Sequence, residues 1–373
     1  MAANEILTLR RPLIPLRTQS VTWATTLSAS ATAAYLGCFL GVVLLPSAWA
    51  RILCSAALGP LIALLFRIAH DSGHECHLPS RSLNRLVGRL SILPSYHSFS
   101  LWIYFHNYRH HVFTNLKDGD YIWVPLSNTE YNSLRPLRRL LQRSYRTMIG
   151  VGLYYLYEIW WKRMLIPRSQ SVKKLRSVYH IDFVVVVLFL AVQLVINAVA
   201  AHTLLRCVGC IIGSIVLPFL VFCWMVGFVS FLNHTHPTAP WFRDKDQWSF
   251  YVGQVCCTVH MKVPRWMVFF MTDLELHGAH HVDPRIPIWN LAHAEPKIIQ
   301  GAQTNIVNES WTLKKCLEIM RQCKLYDYEE LRWLDFEGRP TTEVVQGTNI
   351  IGRRPRGSGP RMHNIRRHSS CTT

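Results

Sequence analysis

The chain has 373 residues, half of them hydrophobic, and a mean hydropathy of +0.14, the composition of a membrane protein. A formal charge of +18 would suggest nucleic acid in a soluble chain; here Lys and Arg flank apolar stretches, where anionic lipid headgroups are their partners, so nucleic-acid binding is set aside. Eleven cysteines, an odd number scattered mostly through apolar runs without paired spacing, read as reduced core residues, and Cys207-Val-Gly-Cys210 lacks the second pair a zinc site needs.

Taken in order, residues 1–20 carry Arg10, Arg11 and Arg17 and read as a cytosolic N-terminal segment. The apolar run from Val21 to Ala50 is too long for a secretory signal, so Ala48-Trp49-Ala50 marks a membrane edge and not a cleavage site. A second run, Ile52 to Ala69, follows a connection containing Arg51, and the two predict a hairpin of spans at about 21–47 and 51–69. From His70 to His180 the chain is mixed and basic, hence cytosolic by charge bias, and Ser91–Phe105 and Met148–Trp161 are short enough to be interfacial. A second hairpin is expected at about 182–205 and 207–232.

Tyr251–Met271 is interrupted by His260, Lys262, Pro264 and Arg265; a charge in the hydrocarbon core costs at least roughly 2.5–3.5 kcal/mol, so this stretch is expected on the membrane surface. A helix is predicted over Trp311–Gln322, and residues 346–373, rich in Gly, Arg and Ser, form a basic disordered tail after a membrane domain of 21–345. The fold class is therefore all-α integral membrane, with four transmembrane helices in two hairpins and both termini cytosolic.

Three short segments share one chemistry: HDSGH at His70–His74, HNYRHH at His106–His111 and HGAHH at His277–His281. Residues three and four apart share a helix face, so His70 with His74, His106 with His110, and His277 with His280 and His281 can each address a common centre. The topology brings all three groups to the cytosolic side, together with His234 and His236 at the end of the fourth span. Eight or more imidazoles exceed the three or four ligands of one zinc site and imply at least two ions. Imidazole suits Fe, Cu and Zn alike; a large apolar volume and the lack of a hydrolytic nucleophile arrangement favour iron. The isolated His77, His97, His180, His202, His260, His293, His363 and His368 read as hydrogen-bonded headgroup contacts.

HDSGH, HNYRHH followed by Val112-Phe113-Thr114-Asn115, Asn233-His-Thr-His-Pro237, HGAHHVDPRIPIWNL at 277–291 and Tyr154-Tyr155 with Glu158 and Trp160-Trp161-Lys162 together resemble the membrane fatty acid desaturase family, closest to its Δ12/ω-6 acyl-lipid branch. The resemblance implies four transmembrane helices, a cytosolic helical cap holding two irons, and a tunnel for an acyl chain. It implies iron ligation by His70, His74, His106, His110, His111, His277, His280 and His281, with a further ligand from the fourth helix end: His236 first, His234 next, and Asn233 through a water. Asp71 is expected to fix the tautomer of a ligand ring.

The activity implied is O2-dependent insertion of a cis double bond into a fatty acyl chain carried on a phospholipid, coenzyme A or acyl carrier protein, the hard step belonging to the cofactor. No dinucleotide, haem or iron–sulfur motif is present, so an external ferredoxin or cytochrome b5 is expected, steered by the basic Arg135–Arg146 cluster. The branch commonly has two residues between the first histidine and the pair of its second box, whereas Asn107, Tyr108 and Arg109 make three here; this keeps a diiron hydroxylase or carotenoid ketolase as the alternative. A non-enzymatic metal-binding membrane protein is the third reading, disfavoured because its spans would carry polar residues. Length and the lack of a fused haem domain lean towards a bacterial plasma membrane.

Overall fold

A computed structural model describes residues 2–168, 172, 176–264, 267–268, 272–302 and 306–345; the tail expected at 346–373 lies outside the described residues. In chain order the helices are α1 Ala2–Arg10, α2 Val21–Leu44, α3 Ala48–Gly73, α4 Arg81–Ile92, α5 Phe99–Phe105, α6 His111–Phe113, α7 Asn128–Ser133, α8 Pro136–Tyr145, α9 Gly150–Tyr154, α10 Ser177–Ala200, α11 Leu204–Ile211 and α12 Leu217–His234. After them come α13 Thr272–Val282, α14 Ile288–Ala302 and α15 Leu313–Gln322.

Among the described residues, α2, α3, α10 and the continuous Leu204–His234 are long and apolar enough to cross a membrane. At 1.5 Å per residue, the shortest of these, 24 residues, reaches about 36 Å, more than the hydrocarbon thickness. Ser20 and Ser47 start α2 and α3 by accepting from the Trp23 and Ala50 amides. α3 runs past the expected end at Ala69, because its final His-Asp-Ser-Gly turn is buried in protein, where His70 and Asp71 meet each other and Asp71 also accepts from the Ile288 amide. α12 likewise extends to carry Asn233 and His234, both buried.

α3 and α12 cross closely: a Cβ on Gly59 would stand only 2.6 Å from Val221. The fourth span is continuous but changes to π-type winding at Ile212–Val216, just before Pro218, whose missing N–H cannot bond the Ser214 carbonyl. α10 keeps a mostly exposed apolar surface, as a lipid-facing helix does, whereas α12 is packed on the inside.

Two features depart from an all-α chain. β1 Val259–Lys262 pairs parallel with β2 Val307–Ser310, and β3 Leu325–Asp327 pairs antiparallel with β4 Arg332–Leu334. The stretch expected on a membrane surface is instead buried in protein from Val252 to Met261. Val252, Val255, Cys256 and Cys257 pack with Ala279, Val282, Leu291 and Ile298 in a second core, and the polar Gln254 and His260 are bonded internally. The helix expected near Trp311 starts at Leu313 because the Thr312 hydroxyl accepts from the Lys315 amide.

Several basic residues are committed inside the protein. Arg17 pairs with buried Asp283 at 2.6 Å, and Arg10 donates to the Val282 carbonyl at 2.6 Å, so the N-terminal segment is tied to the end of α13. In the cluster expected to dock a donor, Arg138 pairs with Glu158, Arg143 with Glu337, and Arg146 is buried among Trp123, Phe231 and Trp333.

Candidate metal centre

The histidines assemble into two adjacent groups. His70, His74, His106, His111 and His280 form one, and His110, His234, His277 and His281 the other; within each, ligand atoms lie within 4.8 Å of one another. All the histidines expected from the three boxes are brought together. The fourth-helix contribution is His234. His236, the first choice from sequence, faces elsewhere: its Nδ1 lies 2.8 Å from Thr238 Oγ1 and its Nε2 3.5 Å from the Glu309 carboxylate. The reason is that α12 ends at His234, and the chain beyond is extended at Thr235, which turns the next side chain away.

Helix winding decides which group each ring joins. The segment His106–His110 is a π-turn, so the rings five apart, His106 and His111, share a face and their Nε2 atoms stand 3.0 Å apart. His110 is turned to the second group, and the pairing of His106 with His110 expected from α-helical spacing gives way to this split. The third residue between the first histidine and the pair is what the π-turn absorbs. In α13 the regular spacing sends His277 and His281 to the second group and His280 to the first.

The nitrogen arrangement fits metal ions. His111 Nε2 lies 3.0 Å from both His106 Nε2 and His280 Nε2. His277 Nε2 lies 2.8 Å from His234 Nε2 and 3.0 Å from His281 Nε2. A neutral imidazole has one N–H, so three buried nitrogens converging on one point leave lone pairs facing each other, an arrangement a cation satisfies. His74 Nε2, His280 Nδ1 and both amide atoms of buried Asn233 have no protein partner. Burial, followed by the repulsion that neighbouring imidazoles and Arg67 would exert on a protonated ring, pushes His74 down to about 3 and holds His106, His111, His277, His280 and His281 well below the ordinary imidazole range, which favours the neutral rings that donate to a metal.

The rings are oriented by partners on their other nitrogens. Asp71 Oδ1 stands 3.2 Å from His70 Nδ1 and also meets Arg67, while its Oδ2 accepts from the Ile288 amide. Two orienting residues escape sequence reasoning. Asp120 Oδ1 accepts from His110 Nδ1 at 2.9 Å and from the Tyr121 and Ile122 amides. Buried Gln254 accepts from His281 Nδ1 at 2.9 Å while its amide donates to the His111 carbonyl and Thr114 Oγ1. Asp120 is an acid ten residues beyond His110, in the stretch that follows the second box; nothing in the sequence marks Gln254. His260, bonded to Glu295, lies under Gly278, where any side chain would strike its ring. It is buried, as are His77 and His97, which bond to Ser28 and Tyr155; for these three the headgroup reading is replaced by internal hydrogen bonds.

Both groups open onto one mostly apolar slot of about 80 Å³, lined by His70, His106, His110, His234 and His277 with Phe66, Trp102, Tyr121, Ile122, Tyr155, Ile159, Met164, Val226, Val229 and Ser230. Beside it, sharing Tyr121, is a polar cleft of about 650 Å³ carrying Arg109, Lys117, Arg138, Lys162, Arg163 and Arg168 against Asp118, Asp120 and Glu158.

A mostly helical chain with four helices long and apolar enough to cross a membrane, and two adjoining histidine groups that could each hold a metal ion, has the features of a membrane metal-binding protein. Residues 46–310 match the fatty acid desaturase family, and the chain belongs to that family. It is similar to the chloroplastic omega-6 fatty acid desaturase of Arabidopsis thaliana, 29% identical over 295 residues, which is 77% of this chain and 60% of that protein. It is also similar to the sn-1 oleoyl-lipid 12-desaturases of Picosynechococcus sp., 28% identical over 80% of this chain and 82% of the relative, and of Anabaena variabilis, 29% identical over 76% and 77%. The alignment thus spans about 60% of the length of the chloroplastic relatives.

Proposed function

We propose that the chain is an acyl-lipid desaturase that inserts a cis double bond into a fatty acyl chain, with Δ12/ω-6-like regioselectivity. The observation that carries this is the slot: five site histidines from both groups face a lining that is otherwise almost wholly apolar, where a hydrocarbon chain lies beside the metal centre without any other acid or base. The family membership and the names of the similar proteins support the same reading.

In this reading two irons are held, one by His70, His74, His106, His111 and His280, the other by His110, His234, His277 and His281, with Asn233 reaching the second through a water. The irons would supply the oxidant for an unactivated C–H bond, consuming O2 and two electrons per double bond. The protein's part is positional. Phe66, Trp102, Tyr155 and Ile159 hold successive methylenes in one register and exclude water. Asp71, Asp120 and Gln254 keep the Nδ1–H of their rings occupied, leaving Nε2 to the metal. At about 80 Å³ the slot takes only a short stretch of an acyl chain, the methylenes beside the metal centre. The adjoining polar cleft receives the charged head of the lipid or carrier, with Tyr121 between head and tail.

In this reading the four spans form two hairpins, which the short connections between them support, and the histidine end is cytosolic, which the basic residues concentrated there support. Electrons come from an external ferredoxin or cytochrome b5. Expression with a matching reductant in a host lacking polyunsaturated lipids is expected to yield a new diene, and the purified protein about two irons per chain. Hydroxy acids alone, or no acyl change with iron bound, would refute the desaturase reading.

A further inference from the structure

At the opposite end of the membrane helices from the histidines is a second, larger cavity of about 840 Å³, between the start of α3 and the α11 side of the fourth span. Its lining includes Val42, Ile52, Ala56, Leu205, Leu217 and Val221, with Arg51 and Arg206 also on its walls. Counted along α3, Arg51 precedes His70 by 19 residues, about 28 Å, so this cavity is separate from the slot.

The charges there are unusual. Between residues 21 and 66 and again between 183 and 233, the only Asp, Glu, Lys or Arg side chains are Arg51 and Arg206, one in each pair of spans. The fold brings these two to the same cavity. Neither stretch contains a carboxylate to neutralise them. Arg206 spends one Nη2 on the Val43 carbonyl at 3.4 Å, while its Nε is buried with no partner. Two guanidiniums beside an apolar hollow at a membrane end, where cations are otherwise avoided, call for an anion with a hydrocarbon tail.

We propose that this cavity binds an anionic phospholipid of the leaflet opposite the histidine centre. Its phosphodiester lies between Arg51 and Arg206, and one acyl chain fills the hollow beside Ala56, Gly209 and Val221. A guanidinium binds a phosphate through paired N–H donors, which choline-bearing lipids satisfy less well because their own cation competes. The site is distinct from the substrate slot and does not depend on the desaturase reading.

The test uses the full-length protein in mild detergent, with binding of each probe followed by native mass spectrometry. The probes are dioleoyl phosphatidylglycerol, dioleoyl phosphatidylcholine and tail-less glycerol phosphate. Each cation near an anionic headgroup gives roughly a fivefold gain, so phosphatidylglycerol is expected to bind about 25-fold more tightly than phosphatidylcholine. Arg51→Gln with Arg206→Gln should bring that ratio close to one. Gly209→Phe should weaken both lipids, because a Cβ there meets no atom within 4 Å and the ring enters the hollow. Unchanged iron content and melting temperature in the variants show that the fold and the histidine centre are intact. Equal binding of the two lipids, a preference that survives the double substitution, or glycerol phosphate binding as tightly as the lipid would each overturn the proposal. Desaturation is not measured, so its failure leaves this outcome readable.

Discussion

His234 and His236 stand two residues apart in the same short motif, yet only His234 joins a histidine group. His234→Ala is expected to lower bound iron from about two per chain towards one, whereas His236→Ala should leave iron close to the parent value; metal analysis of the purified variants distinguishes them. The partners on Nδ1 act at the same scale. Removing an orienting group typically weakens metal binding 10–100-fold, so Asp120→Asn and Gln254→Leu should each release iron to a competing chelator that much more readily, without loss of membrane insertion. Release at the parent rate would remove the orienting role.

At the scale of elements, the π-turn at His106–His110 is one residue wound into a helix that otherwise runs from α5 to α6. Deleting exposed Tyr108 should restore α-winding, in which rings four apart share the face that His106 and His111 now share, so most iron binding survives. Inserting an alanine after Arg109 should rotate His110 and His111 away from their groups and abolish it. Iron content and circular dichroism of the two variants give the answer. The slot is also an element-level feature, lying between the π-wound 155–165 segment, α3 and α12. Ile159→Phe adds bulk to a fully buried position in its wall; an overpacking cost of typically 1–3 kcal/mol, falling on the bound acyl chain, should lower product formation by about 5- to 150-fold while iron stays bound.

For the whole molecule, the depressed imidazoles set a pH dependence with a definite sign. His74, His106, His111, His277, His280 and His281 titrate below their unfolded value of about 6.5. Below that pH the unfolded chain binds more protons than the folded one, so stability of the metal-free protein rises with pH up to about neutrality and is lost progressively on acidification. His236, pushed down to about 4 mainly by burial, adds to the same loss between about 6.5 and 4. Melting temperature of metal-free protein should therefore fall from pH 7.5 to pH 5, and bound metal should be released over the same interval; a flat profile would contradict the buried, neutral state of these rings.

The four long apolar helices and the membership of eight histidines in a shared metal region were legible in the chain itself, because span length and the clustering of imidazoles are local properties. Which ring joins which group was not. That depends on a π-turn at the second box, on α12 stopping at His234, and on α13 serving both groups, so that each group is completed only when segments far apart in the chain, such as His70 and His280, meet. The same limit hid Gln254, and it placed Val252–Met261 on the membrane surface when Gln254 and His260 Nδ1 find their hydrogen-bond partners inside the protein. Periodicity reports which side chains are apolar; only the tertiary structure decides whether a polar one finds its partner in water, in lipid headgroups or in another helix.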